Sequence, residues 1–232
     1  MCIIIAKKAA APIPKKAILQ NCFNNNPDGA GFMYSLHNKT YIHKGYTTFD
    51  AFYNDFMQAC KKYNLYNKNV VLHFRIATSG GKTPAKTHPF ILSNNDGALN
   101  NIDIAAHAPG IAHNGVLSQF TYNKQLSDTQ NYIKDFLHNI YKLNKHFYNN
   151  KYFNALIERS LGNSNKLAII DGAKLITYGD FVEDEGGLLF SNSTYKQARF
   201  PYHSKYYGGW YYNPTTCKWQ KYEDGEDYYD YM

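Results

Sequence analysis

Cys2 stands directly behind Met1 and runs into Ile3-Ile4-Ile5. Removal of Met1 would leave a residue carrying both a thiol and a free α-amine. A thiol with a pKa of about 8.5 is mostly protonated at neutral pH and needs a base. An α-amine with a pKa of about 7.7–8.0 is partly neutral there and can take that proton, directly or through a water. Nucleophile and base would then share one residue. Four further stretches carry polar chemistry: Asn26-Pro27-Asp28-Gly29-Ala30-Gly31, His73 to Gly80, Thr87-His88-Pro89-Phe90 and His113-Asn114-Gly115. Ser127-Asp128-Thr129-Gln130 is a fifth. Asn114 offers a side-chain amide and Gly115 a backbone N–H, a pair suited to an oxyanion hole. Arg75 can grip a carboxylate with two parallel hydrogen bonds, and Asp128 can pair with an ammonium group. A substrate with a carboxylate, an ammonium and a distal amide is glutamine or asparagine.

These residues need elements to hold them. A short β-branched run reads as a buried strand, so Ile3 to Ile5 would anchor the thiol. The pattern then predicts a helix over Lys15–Phe23 and a turn at 24–29. A hairpin of Ala30–Leu36 and Thr40–Tyr46 follows, then an amphipathic helix over Phe49–Tyr63. Val70–Ile76 reads as a strand and leads into a long irregular segment rich in glycine and proline. Strand character resumes at Ile111–Val116. Helices are expected over Asp128–Leu143, with Ser127 or Asp128 as cap, and over Tyr152–Leu161. A hairpin then turns at Asp171-Gly172, and Gly187–Phe190 forms one more strand. This order suits helices outside layered antiparallel sheets better than a doubly wound parallel sheet. From about residue 200 the chain becomes rich in Tyr and Gly and then acidic. The expected organisation is therefore one domain over 1–200 and an extension over 201–232.

Composition bounds the rest. The 232 residues are 44% hydrophobic and 19% charged, enough to bury a core. No apolar stretch is long enough to span a membrane, and Lys7, Lys8 and Pro12 interrupt any leader pattern, so a cytoplasmic placement is expected. The cysteines Cys2, Cys22, Cys60 and Cys217 lie far apart and point to neither a disulfide framework nor a zinc site. His73, His88, His107 and His113 have no familiar ligand spacing, so neither metal nor cofactor is expected. The net charge of +7 is spread over small groups such as Lys7/Lys8, Lys15/Lys16 and Lys61/Lys62. It reads as a solvated surface and not as a nucleic-acid patch. Ser79-Gly80-Gly81-Lys82-Thr83 ends like a phosphate-binding loop, but Ile76 stands where that motif requires glycine. The wealth of Tyr, Asn and Lys is the kind an AT-rich genome produces, such as a bacteriophage's or a low-GC bacterium's.

The ordered set resembles the class II glutamine amidotransferase domain of the N-terminal-nucleophile hydrolase superfamily. Met1-Cys2-Ile3, Asp28-Gly29-Ala30-Gly31, His73 to Thr78, His88-Pro89, His113-Asn114-Gly115 and Ser127-Asp128-Thr129 match its motifs in order, from Met1 to about Gln130. Departures are Asn25 and Asn26 where many members carry an Arg, Ile76 for Trp, Ser79-Gly80 for His-Gly, and Gln130 for Glu. The resemblance implies a four-layer αββα sandwich of two antiparallel sheets between helix layers. It implies Cys2 as nucleophile, Asn114 and Gly115 as oxyanion donors, and Arg75 and Thr78 on the substrate carboxylate. Asp128 would hold the substrate amine, and His88 belongs to the family's His-Pro pair at the substrate site. L-Glutamine is the expected substrate. The chain resembles the short stand-alone members, which act as glutaminases or feed ammonia to a separate acceptor enzyme. Two other readings stay open: hydrolysis of another γ-glutamyl or amidated substrate by the same site, and a non-catalytic module that kept the fold.

Overall fold

A computed structural model describes residues 2–77 and 81–196, and the backbone of 210–213 and 218–221. The chain divides into two units, Met1–Ala198 and Arg199–Met232. In the second, β12 (Trp210–Asn213) and β13 (Lys218–Lys221) pair antiparallel.

The first unit mixes helices with two antiparallel sheets. It contains β1 (Ile3–Lys7), α1 (Lys16–Asn25), β2 (Ala30–Leu36), β3 (Lys39–Tyr46), α2 (Phe49–Tyr63) and β4 (Val70–Phe74). Next come β5 (Phe90–Ile91), α3 (Asp96–Asn100), β6 (Asp103–Ala106) and β7 (Gly110–Asn114). α4 (Asp128–Tyr132) passes through a π-helical turn (Ile133–Leu137) into α5 (His138–Leu143), followed by α6 (Lys151–Leu161). β8 (Lys166–Asp171), β9 (Lys174–Tyr178), β10 (Val182–Glu183) and β11 (Leu188–Phe190) complete it. The larger sheet has the order β10-β11-β1-β4-β2-β3-β6 and the smaller β5-β7-β8-β9. β1 lies between β11 and β4, with Ile3 opposite Phe74 and Ile5 opposite Phe190.

Side-chain alternation builds the layers. Ile3 and Ile5 point to one face and join Phe32, Leu72 and Phe74 against Leu19 of α1 and Phe52 and Phe56 of α2. Ile4 and Ala6 point to the other and meet Met33 and Val71, together with Ala112, Ala168 and Ile170 of the smaller sheet. The far face of that sheet, with Ile111, Leu167 and Ile169, packs on Tyr132, Ile133, Leu137 and Ile157 from the helical segment and α6. A strand buried on both faces reads as a continuous apolar run and not as an alternation. Burying each such Ile stabilises the fold by roughly 1.5–3 kcal/mol.

Several local expectations hold. The β2–β3 hairpin turns at His37 and Asn38, both at positive φ (49° and 61°), as a type I′ turn requires. α2 starts on Thr48, which accepts from the Ala51 N–H, and ends on left-handed Asn64. Others change. The irregular segment carries β5, α3 and β6, elements too short to leave a period. The strand expected to reach Val116 stops at Asn114. Lys7, read with Lys8 as solvated, is fully buried. Its amine donates to the carbonyls of Lys8, Tyr66 and Lys68, and such a ring of acceptors replaces the lost water.

Candidate active site

The site begins where β1 begins. The half-buried Cys2 thiol lies 3.6 Å from the Ile76 carbonyl. Burial pushes its pKa up, and the Arg75 charge offsets part of the rise. The Cys2 carbonyl accepts from Asn192 Nδ2 at 2.8 Å. Next door, Ser191 clasps Ile4: its N–H donates to the Ile4 carbonyl at 3.0 Å, and its Oγ accepts from the Ile4 N–H at 2.9 Å. The same Oγ lies 2.9 Å from Asn114 Nδ2. Ser191 and Asn192 follow β11, so two antiparallel neighbours and a side-chain clasp hold the start of β1.

The second wall is the end of β4 with the Asp28-Gly29 turn. The Arg75 N–H donates to Gly29 O at 2.7 Å, and the Asp28 N–H to Arg75 O at 2.9 Å, which extends the β2–β4 ladder through the turn. The Asp28 carboxylate accepts from the Ala77 N–H at 2.9 Å and pairs with Lys82 at 2.6 Å. Burial raises the Asp28 pKa, but Lys82, the Ala77 N–H and Arg75 outweigh it and hold the group below its ordinary range. Arg75 is 5% exposed and donates through Nη2 to Gly81 O at 2.8 Å. Burial lowers its pKa, while Cys2, Asp28 and Asp128 act on it in the opposite sense. Arg75 therefore lies within electrostatic reach of the thiol and of both carboxylates. Thr78 falls outside the described residues.

The third wall is the end of β7. His113 is buried between Thr129 Oγ1 (2.9 Å from Nδ1) and Asn165 Oδ1 (2.9 Å from Nε2). Gly115 has a φ of 141°, a region L side chains rarely adopt, and a Cβ there would collide with Asn165 Oδ1. Asp128 Oδ2 accepts from the Leu117 N–H at 2.8 Å, and Oδ1 from the Thr129 N–H at 2.7 Å. Asp128 thus fastens the loop after β7 to the start of α4. The helix start is a full capping box between Ser127 and Gln130.

Beneath these walls lies a histidine stack. His73 Nε2 contacts the His113 carbonyl at 3.0 Å, and its ring lies 4.3 Å from that of His88. His88 also meets Phe90 edge-on at 4.6 Å. Burial pushes the His73 pKa down to about 3 and the His88 pKa well below its ordinary value. Gly31 allows this packing, since a Cβ there would strike the His88 carbonyl. The contacts of His88 are thus those of a buried support, 6% exposed. Among the described residues no group of three His, Cys, Asp or Glu is placed to hold a metal.

Ser191 ties the start of β1, behind Cys2, to Asn114 at the end of β7. Gly115 follows Asn114 in the chain, and Arg75 interacts electrostatically with Cys2 and Asp128. The arrangement holds a thiol, a cation, an amide donor and a carboxylate. Sequence reasoning missed Ser191, Asn192 and Asn165. Ser191-Asn192-Ser193 after the apolar Leu188–Phe190 was the available signal, a polar run at a strand end. A separate cleft of about 290 Å³ lies at the other end of β1, among Ala9, His37, Asn38, Asn69 and Gly172. Its lining has neither a thiol nor a carboxylate. Comparison with models of known protein families found no match, and comparison with curated proteins found none either.

Proposed function

We propose that the chain, once Met1 is removed, hydrolyses the side-chain amide of glutamine. One observation carries this reading: the start of β1, which bears Cys2, and the Asn114 amide meet on one atom, Ser191 Oγ, 2.9 Å from both the Ile4 nitrogen and Asn114 Nδ2. A thiol near an amide donor, with the buried Arg75 and the Asp128 carboxylate close enough to interact electrostatically, complements an amino acid that carries a carboxylate and an ammonium at one end and an amide at the other. The fold proposed with it is that of the N-terminal-nucleophile hydrolases. Its support is the pair of facing antiparallel sheets with helices outside and a nucleophile at the tip of an inner strand.

The steps follow from the residues. The α-amine of Cys2 takes the thiol proton, and the thiolate sulfur attacks the amide carbon. The carbonyl oxygen becomes an oxyanion and accepts from Asn114 Nδ2 and the Gly115 N–H. Loss of one such donor typically costs about 10²–10³ in rate. The amine returns its proton to the leaving nitrogen, and ammonia departs as the C–N bond breaks. A water, deprotonated by the same amine, then attacks the thioester. Glutamate leaves, and the thiol is restored. Arg75 holds the substrate carboxylate and Asp128 the ammonium; Thr78 is assigned to the carboxylate by the resemblance alone. The ammonia is released or taken up by a separate acceptor enzyme.

The test is an intact mass, expected to show a chain beginning at Cys2, combined with glutamate release from glutamine. Cys2→Ala should abolish release. Full activity in Cys2→Ala, or in a chain that keeps Met1, overturns the mechanism.

A further inference from the structure

We infer that Ser191, with its neighbour Asn192, is the positioning element that orients the Asn114 amide and the Cys2 backbone for this reaction, an inference that rests on the glutamine-hydrolysis reading. A serine hydroxyl has one hydrogen to give and two lone pairs to receive. Ser191 Oγ already accepts from the Ile4 N–H at 2.9 Å. Its other close neighbour is the Asn114 amide, 2.9 Å away. With Nδ2 toward Ser191, the hydroxyl receives twice, and the buried Asn114 Oδ1 meets no donor among the described residues. Side-chain amide oxygen and nitrogen differ little in shape, so the hydrogen-bond network must choose between the two orientations. With Oδ1 toward Ser191, the hydroxyl receives from Ile4 and donates to Asn114. Oδ1 is then satisfied, and Nδ2 turns into the buried place the unpartnered oxygen held, from which its N–H groups would meet the oxyanion.

The same two residues fix the nucleophile. The Ser191 N–H holds the Ile4 carbonyl, and Asn192 Nδ2 holds the Cys2 carbonyl at 2.8 Å. Asn192 Oδ1 is itself held by the Thr194 N–H at 3.0 Å and the Thr194 hydroxyl at 2.6 Å. One dipeptide at the end of β11 therefore sets the attacking residue and the oxyanion donor in a common frame. A donor oriented before the reaction needs no reorganisation when charge develops, so its loss should appear in kcat.

The experiment is steady-state glutamine hydrolysis by wild type, Cys2→Ala, Asn114→Ala, Ser191→Ala, Ser191→Thr and the double variant Asn114→Ala/Ser191→Ala. Ser191→Ala should lower kcat by about 10–100-fold, part of the effect of an oxyanion donor, and leave KM nearly unchanged. Ser191→Thr, which keeps the hydroxyl, should restore most of the rate. The double variant should be no slower than Asn114→Ala, because both changes remove one device. Wild-type kcat in Ser191→Ala, or losses that multiply in the double variant, overturn the inference and leave the glutamine reading standing. Wild type no better than Cys2→Ala overturns both. If Ser191→Ala does not fold, Ser191→Cys decides. It keeps the shape of the side chain with a larger atom and a weaker donor, and unreduced kcat there overturns the inference.

Discussion

At the scale of single residues, two consequences concern the thiol and the turn beside it. Burial raises the Cys2 pKa, so the thiolate is scarce at neutral pH unless a base is at hand. In a chain that keeps Met1, alkylation of Cys2 by iodoacetamide should be slow at pH 7 and rise about tenfold per pH unit. A chain beginning at Cys2 should react faster at pH 7, since its amine takes the proton. Mass-spectrometric time courses of the two forms check this. Gly115→Ala forces a side chain into positive φ and against Asn165. Such backbone strain costs about 1–3 kcal/mol, and displacing Asn165 also disturbs His113. Urea unfolding should register the loss, and under the proposed mechanism kcat should fall by up to about 10²–10³, because alanine keeps the backbone N–H but the strain moves it from its proposed place at the oxyanion. The identity of Cys2, Asn114 and Gly115 as candidates was legible in the sequence because each carries its chemistry in its residue type. Ser191 was not legible, since a serine acquires its meaning from the two partners folded against it.

Among the elements, the start of α4 shows how a departure from a motif is absorbed. Gln130 stands where the family proposed for the chain usually carries a glutamate. Its Oε1 accepts from the Ser127 N–H at 2.8 Å, which a carboxylate would do as well. Its Nε2 donates to Asn100 Oδ1 at 2.8 Å and to the Leu99 carbonyl at 3.4 Å, which a carboxylate cannot do. Gln130 is fully buried. Gln130→Glu should therefore destabilise the protein by about 1–3 kcal/mol at pH 7. The deficit relative to wild type should shrink at lower pH, where a protonated glutamate regains a donor. Chemical denaturation at pH 7 and pH 5 measures both. Helices α1, α2 and α6 and both hairpins were legible because their apolar periods and turn residues are local. The bounds of β7 and the presence of β5 and β6 were not, because a strand of two to five residues is defined by its partner.

For the whole molecule, the buried histidine stack sets how stability answers to pH. Burial lowers the pKa of His73, to about 3, and those of His88 and His113 as well. Above about pH 6.5, the ordinary histidine value, these rings are neutral folded or unfolded and add no slope. Below it the unfolded chain binds protons that the folded chain refuses, so stability falls as pH falls. The slope approaches about 1.4 kcal/mol per pH unit for each such histidine. The depressed Asp28 carboxylate adds its loss only below about pH 4, the unfolded carboxylate value. Urea midpoints should thus decline steadily from pH 6.5 to pH 4.5. His88→Phe, with no proton to gain, should make that decline shallower. A flat profile in wild type overturns the account.

By itself the sequence determined the candidate nucleophile, the order of polar motifs and the helix and hairpin periods, because residue chemistry and local periodicity travel with the chain. Only the tertiary structure decided that Lys7 and Lys44 are buried on backbone carbonyls, Lys44 on those of Ala85 and Leu99. It alone decided that His73, His88 and His113 come together, with His73 stacked on His88 and against the His113 carbonyl, and that Ser191 and Asn192 clasp the start of β1. Each of these depends on partners tens of residues to nearly two hundred residues away. Burial and hydrogen bonding at that separation are settled by strand pairing and sheet packing, which no local pattern encodes.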